Sequence, residues 1–179
     1  MLDFNHNIGG IGRITMSSLL DYNHLSTSYD ELHKGEQLSK LKIISEFIKP
    51  KENGWMLDVG CGTGISSGLK IKNRVGLDNS LGMLKASKDS TLIKICGNAE
   101  YLPFKDNYFD IVISLTAIHN INDFQSAIKE IKRVAKGLVI IGVLKRSANF
   151  RKIVDIIRQY LPIFVIKEHS HDRIFFCKV

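Results

Sequence analysis

The sequence predicts an α/β fold: a mostly parallel sheet with helices on both faces and an antiparallel strand at the end. Three observations carry this. Short apolar runs alternate with segments whose apolar residues recur at helical spacing. The run over residues 55–59 passes straight into glycines at three alternate positions, Gly60, Gly62 and Gly64. The chain closes with two apolar runs, residues 164–167 and 173–179, whose link is too short for a parallel crossover.

Each element follows in order. Residues 1–18 hold three glycines and little periodicity, so they read as a flexible lead-in, with Met16 an alternative start. Residues 19–29 mix polar and apolar side chains and suit a short helix or a lid. Residues 36–48 place Leu38, Leu41, Ile44, Phe47 and Ile48 on one helical face, and Pro50 ends the helix. Residues 55–59 are the first strand, 66–69 part of a short helix, and 74–77 the second strand. Ser80 can cap the next helix, whose buried face carries Leu81, Met83 and Leu84. Residues 91–96 and 108–115 are the third and fourth strands. Residues 124–134 form a helix with Phe124, Ile128 and Ile131 on one side, and 138–144 the fifth strand. Residues 149–160 form an amphipathic helix with Phe150, Ile153, Ile156 and Ile157 inward and Arg151, Lys152 and Arg158 outward, broken by Pro162. Residues 19–179 are thus expected to form a single domain.

The composition agrees. A chain of 179 residues with 44% hydrophobic residues can bury a full core. Its most apolar stretch, residues 137–144, is far too short to cross a bilayer, and Asp3 and His6 argue against a secretory signal. Cys61, Cys96 and Cys177 have neither metal spacing nor a disulfide pattern, which suits a reducing, cytoplasmic setting. The net charge of +7 lies wholly in the last third: from Lys129 onward, 12 Lys and Arg face 4 Asp and Glu. Such a field suits RNA, an acidic substrate, an acidic partner protein or simply a solvated surface.

The glycine run defines a candidate site. A strand, a glycine turn, a helix start and the acid Asp78 after the next apolar run suit a nucleoside-bearing cofactor. Glycines let the backbone approach a ligand, the helix opening offers unpaired N–H groups, and Asp78 can accept from ribose hydroxyls. The third glycine comes one position too early for the dinucleotide fingerprint.

The pattern Asp58-x-Gly60-x-Gly62-x-Gly64 instead resembles the first motif of the class I S-adenosylmethionine-dependent methyltransferases. Asn98-Ala99-Glu100 with Leu102-Pro103-Phe104, the segment from Asn107 to Ser114, and Tyr29-Asp30 are similar to later family segments, of the compact ubiquinone type. The resemblance implies a Rossmann-like sheet of order 3-2-1-4-5-7-6 and S-adenosyl-L-methionine as cofactor. It implies cofactor contacts from Tyr29, Asp58, Gly60, Cys61, Gly62, Gly64, Asp78, Asn79, Asn98, Ala99, Glu100 and Ser114. Asn98 departs from the aspartate of many relatives, so its contact with the adenine amine would lack charge assistance.

Around the reacting methyl the resemblance points to Tyr29, His119 and Asn120. His119 is a candidate general base, or it packs against the following helix; both readings stay open. His169, His171 and Asp172 sit in a tight turn with no third distant ligand in view, so no metal is expected. The basic last third and the compact core favour RNA or a translation-related macromolecule as acceptor, and a stripped-down core can depend on a small activating protein partner. A small-molecule acceptor, or a non-catalytic subunit retaining the fold, are the alternatives.

Overall fold

The computed structural model describes residues 26–49 and 54–179, with side chains from residue 35 onward. The expected lead-in over 1–18 and most of the expected lid over 19–29 lie outside the described residues. The elements are α1 (Ser26–Ser45), β1 (Trp55–Val59), a 3-10 turn (Ile65–Leu69), β2 (Asn73–Asp78), α2 (Leu81–Ala86) and β3 (Ile93–Cys96). There follow β4 (Phe109–Leu115), a second 3-10 turn (Ile118–Asn120), α3 (Phe124–Val134), β5 (Ala135–Leu144), α4 (Phe150–Tyr160), β6 (Ile163–Glu168) and β7 (Asp172–Lys178).

The seven strands form one sheet in the order β3-β2-β1-β4-β5-β7-β6. β1 to β5 pair in parallel, and β7 runs antiparallel between β5 and β6. This is the Rossmann-like methyltransferase sheet that the sequence led us to expect. The tight turn between β6 and β7 forces the reversal, since a parallel return needs a long crossover.

Side-chain alternation sorts the core onto two faces. Met56, Ile111, Ile113 and Ile140 point one way, where Leu41 and Ile44 of α1 and Leu69 and Ile71 cover them. Leu57, Val59, Val112 and Val139 point the other way, under Ile128 and Ile131 of α3 and Ile153 and Ile157 of α4. β1 and β4 are therefore apolar on both sides, as central parallel strands must be.

The differences from expectation have local causes. The first crossover is a five-residue 3-10 turn rather than an α-helix, bounded by Gly64 and Lys70, both left-handed (φ 86° and 51°). Ser80 does cap α2, accepting from the Met83 N–H at 3.3 Å. Met83 and Leu84 are buried, but Leu81 is exposed, because it sits in the first turn facing away from the sheet. Leu38, expected in the core, is exposed too. α1 uses that part of its length for a polar contact.

That contact centres on Lys40, which is fully buried. Its ammonium pairs with Asp172, equally buried at the start of β7, and with Glu36 at 2.8 Å. It also donates to Thr116 Oγ1 at 2.8 Å, just past the end of β4. One cation thus fastens α1 to two strand ends on the same edge of the sheet. Buried charges are costly unless neutralised on site, so removing one partner is worse than removing both. Lys40→Met should lower stability by about 3–5 kcal/mol in urea unfolding. Lys40→Met with Asp172→Asn should recover much of that loss, and a double variant no better than the single would refute the pairing as the anchor.

Candidate functional site

The carboxyl ends of β1, β2 and β4 open onto a cleft of about 1250 Å³, where ligands bind open α/β sheets. Two loops form its floor. Gly60 and Cys61 donate their N–H groups to Leu77 O at 2.7 and 3.2 Å, and Gly62 donates to Asp78 Oδ2 at 2.8 Å. The other Asp78 oxygen accepts from the Ser80 N–H at 2.8 Å. One carboxylate therefore binds the loop after β1 to the loop after β2.

The N–H groups of the glycine turn are directed into the fold rather than toward the cleft. Those of Gly60, Cys61, Gly62 and Gly64 are all used within the fold, the last by Cys61 O. The glycines are required for shape. Gly60, Gly62 and Gly64 have φ of 75°, 54° and 86°. A Cβ on Gly60 would lie 2.3 Å from the Ala117 Cβ, so the glycine loop and the loop after β4 meet here without side chains between them.

Asp58, Asp78, Asn79, Ala99, Asn98 and Glu100 all line the cleft, as do Gly60, Cys61, Gly62, His119 and Asn120. Two expected cofactor contacts do not. Gly64 faces Ser87 and Leu92, where its lack of a Cβ permits close packing. Ser114 is sealed inside β4, its hydroxyl without a hydrogen-bond partner among the described residues. Tyr29 falls on α1 by its backbone, and its side chain lies outside the described residues.

Asp58 is buried, and its pKa is pushed up to about 7. Loss of water drives this; the Asp78 charge adds to it, while the Ser66 hydroxyl and Arg74 oppose it. Arg74 is committed elsewhere, to Asp89 at 2.8 Å and Thr91 at 2.7 Å. A buried carboxylate on the cleft wall, short of a dedicated cation, is what an ammonium-bearing ligand requires. The residues of the cleft therefore fit S-adenosylmethionine.

The segment expected to border the adenine is held by its own hydrogen bonds. Asn98 Oδ1 accepts from the Glu100 N–H at 3.0 Å, so the oxygen expected to meet an adenine amine already has a backbone partner. Glu100 in turn accepts from the Asp123 N–H at 3.0 Å, and Asp123 caps α3. Arg133 of α3, not foreseen from the sequence, fixes the rest of the connection. Its guanidinium donates to Leu102 O, Phe104 O, Asp106 and Glu130, at 2.6–2.9 Å. An Arg/Glu pair three residues apart on a helix was the only signal available.

His119 sits in the 3-10 turn after β4, half-buried, its Nδ1 without a hydrogen-bond partner among the described residues. Burial lowers its pKa below the usual histidine value; Lys40 and Arg146 push the same way and Asp172 opposes them. A neutral imidazole at neutral pH can accept a proton. The floor beneath it is the Lys40 cluster, which also escaped sequence reasoning because its members are far apart in the chain. Glu36, His169 and Asp172 place ligand atoms within 4.8 Å of one another, so a third distant ligand does exist, against expectation. The Lys40 ammonium already bridges the two carboxylates and supplies their countercharge.

About half of the basic residues of the last third are engaged within the fold. Lys145 and Arg173 bind Glu168, Lys136 binds Asp110, and Lys129 and Lys167 sit over the Tyr160 and Phe47 rings. No helix among the described residues is long and apolar enough to cross a membrane.

The methyltransferase-domain family matches residues 57–141. An uncharacterized protein of Methanocaldococcus jannaschii is 40% identical over 146 residues, covering 78% of this chain and 55% of the relative. The demethylmenaquinone methyltransferase of Corynebacterium glutamicum is 40% identical over 92 residues, covering 50% of this chain and 39% of that protein. The chain spans about half the length of the curated relatives it matches. Among solved structures, the putative methyltransferase bound to the Trm112 activator of Haloferax volcanii superposes with a TM-score of 0.73 at 18% identity, over 84% of this chain and 80% of that one. The named relatives correct the expectation of an RNA or translation-related acceptor, since theirs is a small quinone. With its sheet order, its glycine turn tied to Asp78 and this match, the chain belongs to the class I, Rossmann-like family of S-adenosylmethionine-dependent methyltransferases.

Proposed function

We propose that the protein transfers the methyl group of S-adenosyl-L-methionine to a small organic molecule. The observation that carries this reading is the pair of acids flanking the glycine turn. Asp78 shapes the turn, and buried Asp58 lacks a dedicated cation. S-adenosylmethionine supplies an electrophilic methyl on a sulfonium, and displacement leaves a neutral thioether. The chain's part is to align the acceptor and exclude water. His119, neutral and on the cleft wall, takes a proton from the acceptor as it attacks, with Asn120 beside it orienting the acceptor.

Supporting a small acceptor, α1 contributes Gln37 and Leu41 to the cleft wall, which narrows the approach for a macromolecule. The free cysteines suit a cytoplasmic setting. The likeness to a methyltransferase seen with an activator supports, as a further part of the reading, a small protein partner for this chain.

Labelled methyl from S-adenosylmethionine should appear in the metabolite fraction of the native cell extract, and Asp78→Ala should abolish it. Label confined to RNA or protein would overturn the reading.

Asp58 gives a second prediction. Its pKa rises from 3.8 unfolded to about 7 folded, so the folded state holds the extra proton between those values. Stability from this group is present at low pH and is lost as pH rises through about 7. Asp58→Asn should therefore stabilise the free protein at pH 8, by on the order of 2 kcal/mol in urea unfolding. It should also weaken S-adenosylmethionine binding by about 10-fold or more, measured by calorimetry. Unchanged affinity would remove Asp58 from the cofactor site.

A further inference from the structure

We infer that the acceptor half of the cleft selects a small molecule with one carboxylate on an apolar body, and that Arg146 is the selecting group. This rests on the methyltransferase reading of the same cleft. Arg146 lies just beyond β5 and lines the cleft together with Leu144, His119 and His171. It is near enough to His119 for its charge to oppose protonation there.

The other charges at this end are satisfied. Lys145 and Arg173 share Glu168. Glu36 and Asp172 share Lys40, and Glu36 also faces His171 at 3.6 Å. Among the described residues, Arg146 makes neither an ion pair nor a hydrogen bond. The carboxylates described in this cluster therefore have cations already, and the exposed guanidinium of Arg146, without a partner on the cleft wall, points to an anion brought from outside.

The kind of anion follows from what surrounds it. His119 is kept neutral, so the wall offers one full positive charge rather than two. A singly charged, planar carboxylate matches one guanidinium fork, whereas a phosphate dianion calls for further cations. Leu115, Ile121 and Leu144 line the same stretch of cleft and suit an apolar body attached to that carboxylate.

The test uses the full chain saturated with S-adenosylhomocysteine and two matched probes, 1-naphthoate and its neutral isostere 1-naphthamide. Calorimetry should show the carboxylate binding about tenfold or more tightly than the amide. Arg146→Met should erase that preference and Arg146→Lys should keep part of it, with affinity for S-adenosylmethionine unchanged in both. Equal binding of the two probes, binding of neither, or a preference that survives in Arg146→Met would overturn the inference. Titration with S-adenosylmethionine alone, done first on the same protein, tests the methyltransferase reading separately. Failure there leaves the probe comparison to be read by itself.

Discussion

Two backbone N–H groups, from Gly62 and Ser80, converge on the carboxylate of Asp78. The cleft depends on this junction. It joins the turn that leaves β1 to the turn that leaves β2, and so sets the distance between the two halves of a nucleoside site. Hydrogen bonds to an ionised acceptor are roughly twice as strong as neutral ones, so a single acid can hold two loops. The same junction explains two of the glycines: with their N–H groups turned toward β2, Gly60 and Gly62 adopt left-handed backbone that side-chain-bearing residues avoid.

A second constraint acts at right angles to the first. The sheet's two apolar faces would accept a covering helix in several positions, because hydrophobic burial is not directional. The Lys40 ammonium, meeting Asp172, Glu36 and Thr116 at once, specifies where α1 sits. Thr116 is held there with a φ of 58°, at the point where the chain leaves β4 for His119. The charge cluster thus fixes the cover over the cleft and the exit loop that borders it together. An apolar contact of the same size would have left either free to slide.

The sequence made the sheet legible because its signals are periodic and local. β1 and α3 matched their expected bounds, and the short link between the last strands disclosed the reversal of β7. Asp58, Gly60 and Gly62, which line the cleft, were legible for the same reason, as one uninterrupted stretch. What escaped was assembled across distance. Lys40 and Asp172 are separated by most of the chain, and Lys40 resembled an ordinary surface lysine on a helix. The basic surplus of the last third looked like a field for nucleic acid. Part of it instead serves local pairs, as with Lys145 and Arg173 around Glu168. Net charge reports how many charges a segment carries, and only contacts report which of them are still available.

Arg133 has an implication for how damage would spread. The long connection between β3 and β4 has no secondary structure of its own, and one guanidinium on α3 gathers three of its acceptors. The cleft wall that this connection forms is therefore an appendage of a helix on the opposite face of the sheet from α1. Fraying of the first or last turn of α3 would reach the cofactor cleft from behind while the sheet stayed intact. Loss of ligand affinity would then come before loss of fold, so the weakest joint of this domain lies on its back.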